Sequence, residues 1–263
     1  MDLELKGRTA IVGGASKGLG RAAARALLLE GADVMLAARD RANLERAAVE
    51  LAHETGRVPF VCPADLAQSE DRRRLVREAE QRYGRVDILV ANAGGPPAGP
   101  FEQHPPENWR LALELSLLAS VELCKLLLPG MKARRFGRVV QIVSIAGLEA
   151  IEGLILSNAC RPAVLGFGKA LAREAAPFDV LVNSVCPGIF LTDRVQDIVA
   201  QRAQRENIPA ERALADLTGD IPLGRPGRPE ELGDLVAFLC SPRNTYITGA
   251  TIPIDGGRTR RLM

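Results

Sequence analysis

Aromatic side chains are scarce in this chain of 263 residues, with one Trp, two Tyr and seven Phe. None interleaves with its arginine run, Arg72-Arg73-Arg74, so the stacking surface that single-stranded nucleic acid requires is missing there. The run reads instead as a solvated helix face, and no nucleic-acid partner is expected. Histidine is rarer still: only His53 and His104 occur. Neither stands at a ligand spacing from a cysteine, so no metal site is expected. Five cysteines (Cys62, Cys124, Cys160, Cys186 and Cys240) form no C-x-x-C pair, and their odd number argues against a disulfide framework. A reducing cytoplasm is the setting they imply. Neither sign of charge prevails, with 34 Lys+Arg against 32 Asp+Glu for a net +2. The apolar stretch from Leu111 to Leu128 is broken by Glu114, Glu122 and Lys125, and Met1 to Lys6 has neither a basic start nor an apolar run. A membrane partner and export are therefore not expected.

What is present is apolar material in short pieces. Hydrophobic residues make up 47%, enough for one core, and a chain of this length fits a single α/β domain over residues 1–263. Apolar runs bounded by Gly or Asp alternate with stretches of helical period, the pattern of βα units around a parallel sheet. Strands are expected near Thr9–Val12, Asp33–Ala37, Val58–Cys62, Ile88–Ala91, Gly137–Ser144, Val180–Val185 and Thr251–Ile254. Ser69, followed by Glu70 and Asp71, reads as the cap of a helix. Two segments interrupt the rhythm: Gly94 to Pro106, rich in Gly and Pro, and Leu191 to Arg228, a polar helical excursion. Both follow strand ends, where parallel sheets bind ligands, so both are candidate walls or lids of a site.

The first strand runs into Gly13-Gly14-Ala15-Ser16-Lys17-Gly18-Leu19-Gly20 and then a helix-forming stretch from Arg21 to Glu30. Glycines there permit a tight turn and close backbone approach, and the helix-start amides suit a pyrophosphate. The second strand ends at Arg39, where an acid would read the ribose hydroxyls of NAD. Arg39 and Lys17 together would flank a 2′-phosphate, which favours NADP(H) over NAD(H).

These residues resemble the short-chain dehydrogenase/reductase family, and the resemblance runs from Lys6 to Gly257. Gly14 to Gly20 is similar to the family's glycine turn, including Ser16, Lys17, Gly18 and Leu19. Asp65-Leu66 resembles its adenine contact, Asn92-Ala93-Gly94 the element closing over the cofactor, and Pro187-Gly188-Ile189 with Thr192 the segment holding the nicotinamide amide. The tail from Ile221-Pro222-Leu223-Gly224-Arg225 to Asp255-Gly256-Gly257 is similar to the 3-oxoacyl-(acyl-carrier-protein) reductase branch. The resemblance implies a three-layer, doubly wound parallel sheet of Rossmann type. It further implies a homotetramer or dimer, packed through helices Trp109–Met131 and Pro162–Ala176.

Family members use Ser, Tyr and a Lys four residues later, with an Asn on a preceding helix. A phenol whose pKa is drawn down by the ammonium exchanges the proton while hydride moves at carbon. Ser144 fits the serine. The Tyr position is Ser157, the Lys position Arg161, and the Asn position Ser116. A serine hydroxyl sits nearer the backbone and is far less acidic than a phenol. A guanidinium can bind ribose hydroxyls and an oxyanion but does not relay protons. Ser144, Ser157 and Arg161 are thus expected to polarise a carbonyl, with water, Glu149 or Glu152 supplying the proton. The expected activity is an atypical NADP(H)-dependent oxidoreductase acting on a small or medium apolar carbonyl or alcohol. The alternative is a catalytically inactive NADP-binding sensor or structural subunit. His104 reads as a solvated loop histidine and Cys160 as buried filler.

Overall fold

The chain is described by a computed structural model over residues 2–260; Met1 and residues 261–263 of the expected span lie outside the described residues. Seven apolar runs form β1 (Thr9–Gly13), β2 (Asp33–Ala38), β3 (Phe60–Pro63), β4 (Ile88–Ala91), β5 (Gly137–Ile142), β6 (Val180–Pro187) and β7 (Thr251–Ile254). They make one sheet, entirely parallel, in the order β3-β2-β1-β4-β5-β6-β7. The expected parallel, doubly wound sheet is therefore what forms.

Helices cover both faces. These are α1 (Gly18–Leu29), α2 (Arg41–Thr55), α3 (Ser69–Tyr83), α4 (Pro106–Leu113), α5 (Ala119–Ala133), α6 (Ile155–Ala175), α7 (Asp193–Glu206), α8 (Ala210–Thr218) and α9 (Pro229–Cys240). Successive strand side chains alternate between faces. Ala10, Val12, Val34, Leu36 and Val90 pack with α1, α2 and α9, while Ile11, Met35, Leu89 and Val139 pack with α3, α5 and α6. The chain builds outward from β1 to β3, then returns to lay β4 against the other side of β1. That reversal opens a crevice between the ends of β1 and β4.

Several boundaries differ from expectation. β3 starts at Phe60 because Val58 is exposed and Pro59 has no N–H to give the ladder. β5 stops at Ile142, and Ser144 begins a short turn by accepting the Ala146 N–H at 3.1 Å. β6 runs on to Pro187 because β7 pairs with it to Ile254. The rod expected from Trp109 to Met131 is α4 and α5 joined by a π turn over Glu114–Leu118. α6 starts at Ile155, seven residues before Pro162.

The arginine run corrects the reading of a solvated face. Arg72 is only 3% exposed and joins α3 to the α4–α5 rod through Glu114 at 2.7 Å and Glu122 at 2.6 Å. Arg74 donates to the Pro63 carbonyl and pairs with Asp71. Ser69 does not cap α3: Gln68 precedes the helix, and the Ser69 hydroxyl donates to Glu122 Oε1 at 2.6 Å. The buried Arg72 and the acids of the rod won that hydroxyl from the helix end.

Candidate active site

The carboxyl ends of β1 to β6 open into one cleft of about 790 Å³. Most of the residues expected at a nucleotide line it. They are Gly14, Ser16, Lys17, Gly18 and Leu19 after β1, Arg39 after β2, Asp65 and Leu66 after β3, Asn92, Ala93 and Gly94 after β4, and Pro187, Gly188, Ile189 and Thr192 after β6. The turn after β1 needs its glycines. Gly14 has φ +58, and a β-carbon on Gly20 would collide with the Gly14 carbonyl oxygen. Gly20 therefore does not line the cleft; its role is to let α1 approach the turn. Asn92 ties the two crevice walls together, its Nδ2 donating to the Gly13 carbonyl at 3.0 Å.

At the outer end, Lys17 and Arg39 are exposed, and neither is held in an ion pair among the described residues. Asp40 beside them also lines the cleft and caps α2, its carboxylate accepting the Asn43 N–H at 2.8 Å. Two cations thus line the cleft without an ion pair among the described residues. A β-carbon on Gly94 would meet nothing within 4 Å, so the backbone there is bare toward the cleft. These features fit a dinucleotide.

At the inner end stand Ser144, Ser157 and Arg161. Ser157 and Arg161 are one turn apart on α6, which places them on one face. Arg161 is 8% exposed, pairs with no carboxylate among the described residues, and has an Nε with no hydrogen-bond partner. Burial pushes its pKa below the ordinary guanidinium value, the charge of Arg194 adding to the effect despite the opposing Cys160 and Cys186. Ser116 does not line the main cleft. It lies in the π turn, buried, its Oγ also without a partner, beside a separate cavity of about 20 Å³ that Arg161, Asn92, Ser120 and Gln141 share. That space is about what one water fills.

Glu149 and Glu152 are exposed and outside the lining of the cleft, so neither is placed to deliver a proton there. His104 is not solvated; it is 8% exposed, its ring bonded to Asn108 at 3.3 Å and packed against Gly99. Cys160 is buried, as expected of filler, and burial raises its thiol pKa against the opposing charge of Arg161.

The two interrupting segments behave differently. Gly94 to Ala98 and Thr192 to Ile198 wall the cleft, whereas α8 does not reach it. Two contacts missed from sequence build the rim. Asn158 holds the Ile151 backbone by both N–H and C=O, and the Gly99 N–H donates to the Gly153 carbonyl at 2.8 Å. Arg194 also lines the cleft, inside the expected wall from Leu191 to Arg228, and its local sequence does not single it out.

A family model described as enoyl-(acyl carrier protein) reductase matches residues 14–259. D-beta-hydroxybutyrate dehydrogenase of Cupriavidus necator is 35% identical over 254 residues, covering 96% of this chain and 98% of that protein. 3-oxoacyl-(acyl-carrier-protein) reductase of Aquifex aeolicus is 31% identical over 257 residues, covering 98% and 99%. L-sorbose reductase from Gluconobacter frateurii, solved with NADPH and L-sorbose, superposes with a TM-score of 0.96 at 31% identity over 100% of both chains.

Proposed function

Because the chain belongs to the short-chain dehydrogenase/reductase family of oxidoreductases, we propose that it interconverts a small or medium apolar carbonyl compound and its alcohol with NADP(H). The observation that carries this reading is the division of one cleft into two ends. Lys17 and Arg39 stand without an ion pair among the described residues at the outer end, and Ser144, Ser157 and Arg161 stand together at the inner one. NADPH-bound relatives such as the sorbose reductase support the choice of cofactor.

In this reading Lys17 and Arg39 take the 2′-phosphate, the guanidinium forking onto its oxygens. The backbone at Gly14, Ser16, Gly18 and Leu19 receives the pyrophosphate. Asp65 and Leu66 flank the adenine, while Asn92, Ala93, Gly94, Pro187, Gly188, Ile189 and Thr192 hold the nicotinamide half. When bound, the cofactor supplies or accepts the hydride. The chain's own residues handle the oxygen. Ser144 Oγ accepts the Ala146 N–H, which leaves its hydrogen to donate to a substrate oxygen. Ser157 gives a second hydroxyl, and Arg161 a positive charge screened from bulk water, where stabilisation of a developing alkoxide is strongest. Ser116 supports Arg161 from across the small cavity instead of meeting substrate. No tyrosine lines the cleft and the expected acids, Glu149 and Glu152, lie outside it, so in this reading the proton comes from water entering the open cleft.

NADPH oxidation with a panel of aldehydes and ketones tests this. The expected result is measurable turnover that falls at least 100-fold in Arg161→Ala, the scale of a lost oxyanion partner, while Glu152→Gln stays within about twofold of wild type. Tight NADPH binding with no turnover on any carbonyl would establish the non-catalytic sensor or structural subunit instead.

A further inference from the structure

Arg161 has a neighbour that the proposed chemistry leaves unexplained. The point where a Gly95 β-carbon would stand lies 3.0 Å from Arg194 Nη1 and 3.8 Å from Arg161 Nη2. Two guanidinium groups, one on α6 and one on the first turn of α7, therefore converge above the same glycine. Neither is paired with a carboxylate among the described residues. Asp193, the acid adjoining Arg194, lines the cleft yet makes no ion pair with it. Like charges brought this close repel one another, and Arg161 is moreover largely removed from water. Long, exposed side chains such as Arg194 would ordinarily turn away. A single anion between the two forks reverses the sign of the interaction and makes a charge-assisted site.

The start of α7 sits against the glycine turn, Thr192 Cγ2 lying 3.5 Å from where a Gly18 β-carbon would stand, so the cofactor's pyrophosphate is the competing anion and the binding test below separates the two. Ser144 and Ser157, the hydroxyls set for a carbonyl, line the same cleft as both arginines. Pro96, Leu154, Val195 and Ile198 give the cleft apolar lining beside the polar Ser144 and Ser157. We infer that Arg194 and Arg161 clamp the carboxylate of the substrate, which makes the preferred substrate an oxo acid or hydroxy acid with a short apolar chain. This rests on the reading of the cleft as a carbonyl site and narrows it. Arg194 is the specificity residue; its α7 position lets it close over the acid while Arg161 remains beside the oxygen to be reduced.

The test is equilibrium binding, so it does not depend on turnover. 3-Oxobutanoate, 3-oxooctanoate and the amide of each are titrated calorimetrically into the full chain, with and without NADP+, which cannot reduce them. The expected result is that at least one acid binds tenfold or more tightly than its amide. Arg194→Ala should then weaken that acid at least tenfold, Arg194→Lys less, with NADP+ affinity within twofold of wild type. Arg194 is exposed, and a melting curve that matches wild type shows that the variant is folded and reports on the site. Acids and amides binding alike, no acid binding, or Arg194→Ala weakening NADP+ while sparing the acid would each overturn the inference. Acid binding without any NADP+ binding would sustain the clamp and defeat the cofactor reading.

Discussion

Replacing a phenol and an ammonium by Ser157 and Arg161 changes what the inner cleft can do with a proton more than what it can do with charge. Restoring them is the direct check: Ser157→Tyr with Arg161→Lys should raise the reduction rate constant roughly 100-fold, the usual worth of a positioned acid, with a smaller change in KM. An unchanged rate constant would show that something other than the missing acid limits turnover. At the outer end, Lys17→Ala with Arg39→Ala should weaken NADPH at least tenfold and leave NADH unaltered, since two charge-assisted bonds would be lost only with the phosphorylated cofactor. Comparative fluorescence titration reads both. Much of this was legible because the residues follow strand ends at fixed offsets: Gly14 to Gly20, Asn92 to Gly94 and Ser144 all fell where the parallel sheet places ligands. Arg194 was not legible. Its reach across the cleft depends on where α7 packs, and its local sequence, Asp193-Arg194-Val195-Gln196, reads as any solvated helix start.

Between α3 and the α4–α5 rod, a buried ion cluster does work that local pattern concealed. Arg72 meets acids 42 and 50 residues further along the chain, and no windowed reading of Arg72 to Arg74 could reveal them. The helix itself was legible from its period; its buried cation was not, because charge in an amphipathic pattern is assigned to water. Arg72→Ala should destabilise the fold by about 3 kcal/mol, leaving Glu122 poorly compensated, measurable by urea unfolding. The pH dependence follows from Glu122. Burial alone would raise its pKa, but bonds from Ser69 and Arg72 hold it below the ordinary value of 4.5. A carboxyl lowered in the folded state contributes stability above the ordinary range, and that contribution is lost as pH falls below about 4.5. The melting-temperature gap between wild type and Glu122→Gln should accordingly be widest at neutral pH and shrink as pH falls to about 3. A gap independent of pH would contradict it. The π turn carrying Ser116 was equally hidden, since an extra residue in one turn leaves the helical pattern on either side intact.

Taken entire, the chain presents surfaces suited to association. Leu113 and Leu118 on the α4–α5 rod are 42% and 44% exposed, Ala163, Gly166 and Ala170 leave α6 flat and uncovered, and β7 is an unpaired sheet edge. Light scattering on the eluting peak should give a dimer or tetramer, the assembly the resemblance implies; a stable monomer would contradict it. Among the described residues no helix is long and apolar enough to cross a membrane, and no His, Cys, Asp and Glu group is arranged to hold a metal. The proposed carbonyl chemistry presupposes that the crevice between β1 and β4 receives a phosphorylated dinucleotide. Calorimetric titration of NADPH and NADH into the protein measures this most directly. The account predicts saturable binding of both, with NADPH the tighter by at least tenfold; the absence of heat with either, or an equal affinity for the two, would contradict it.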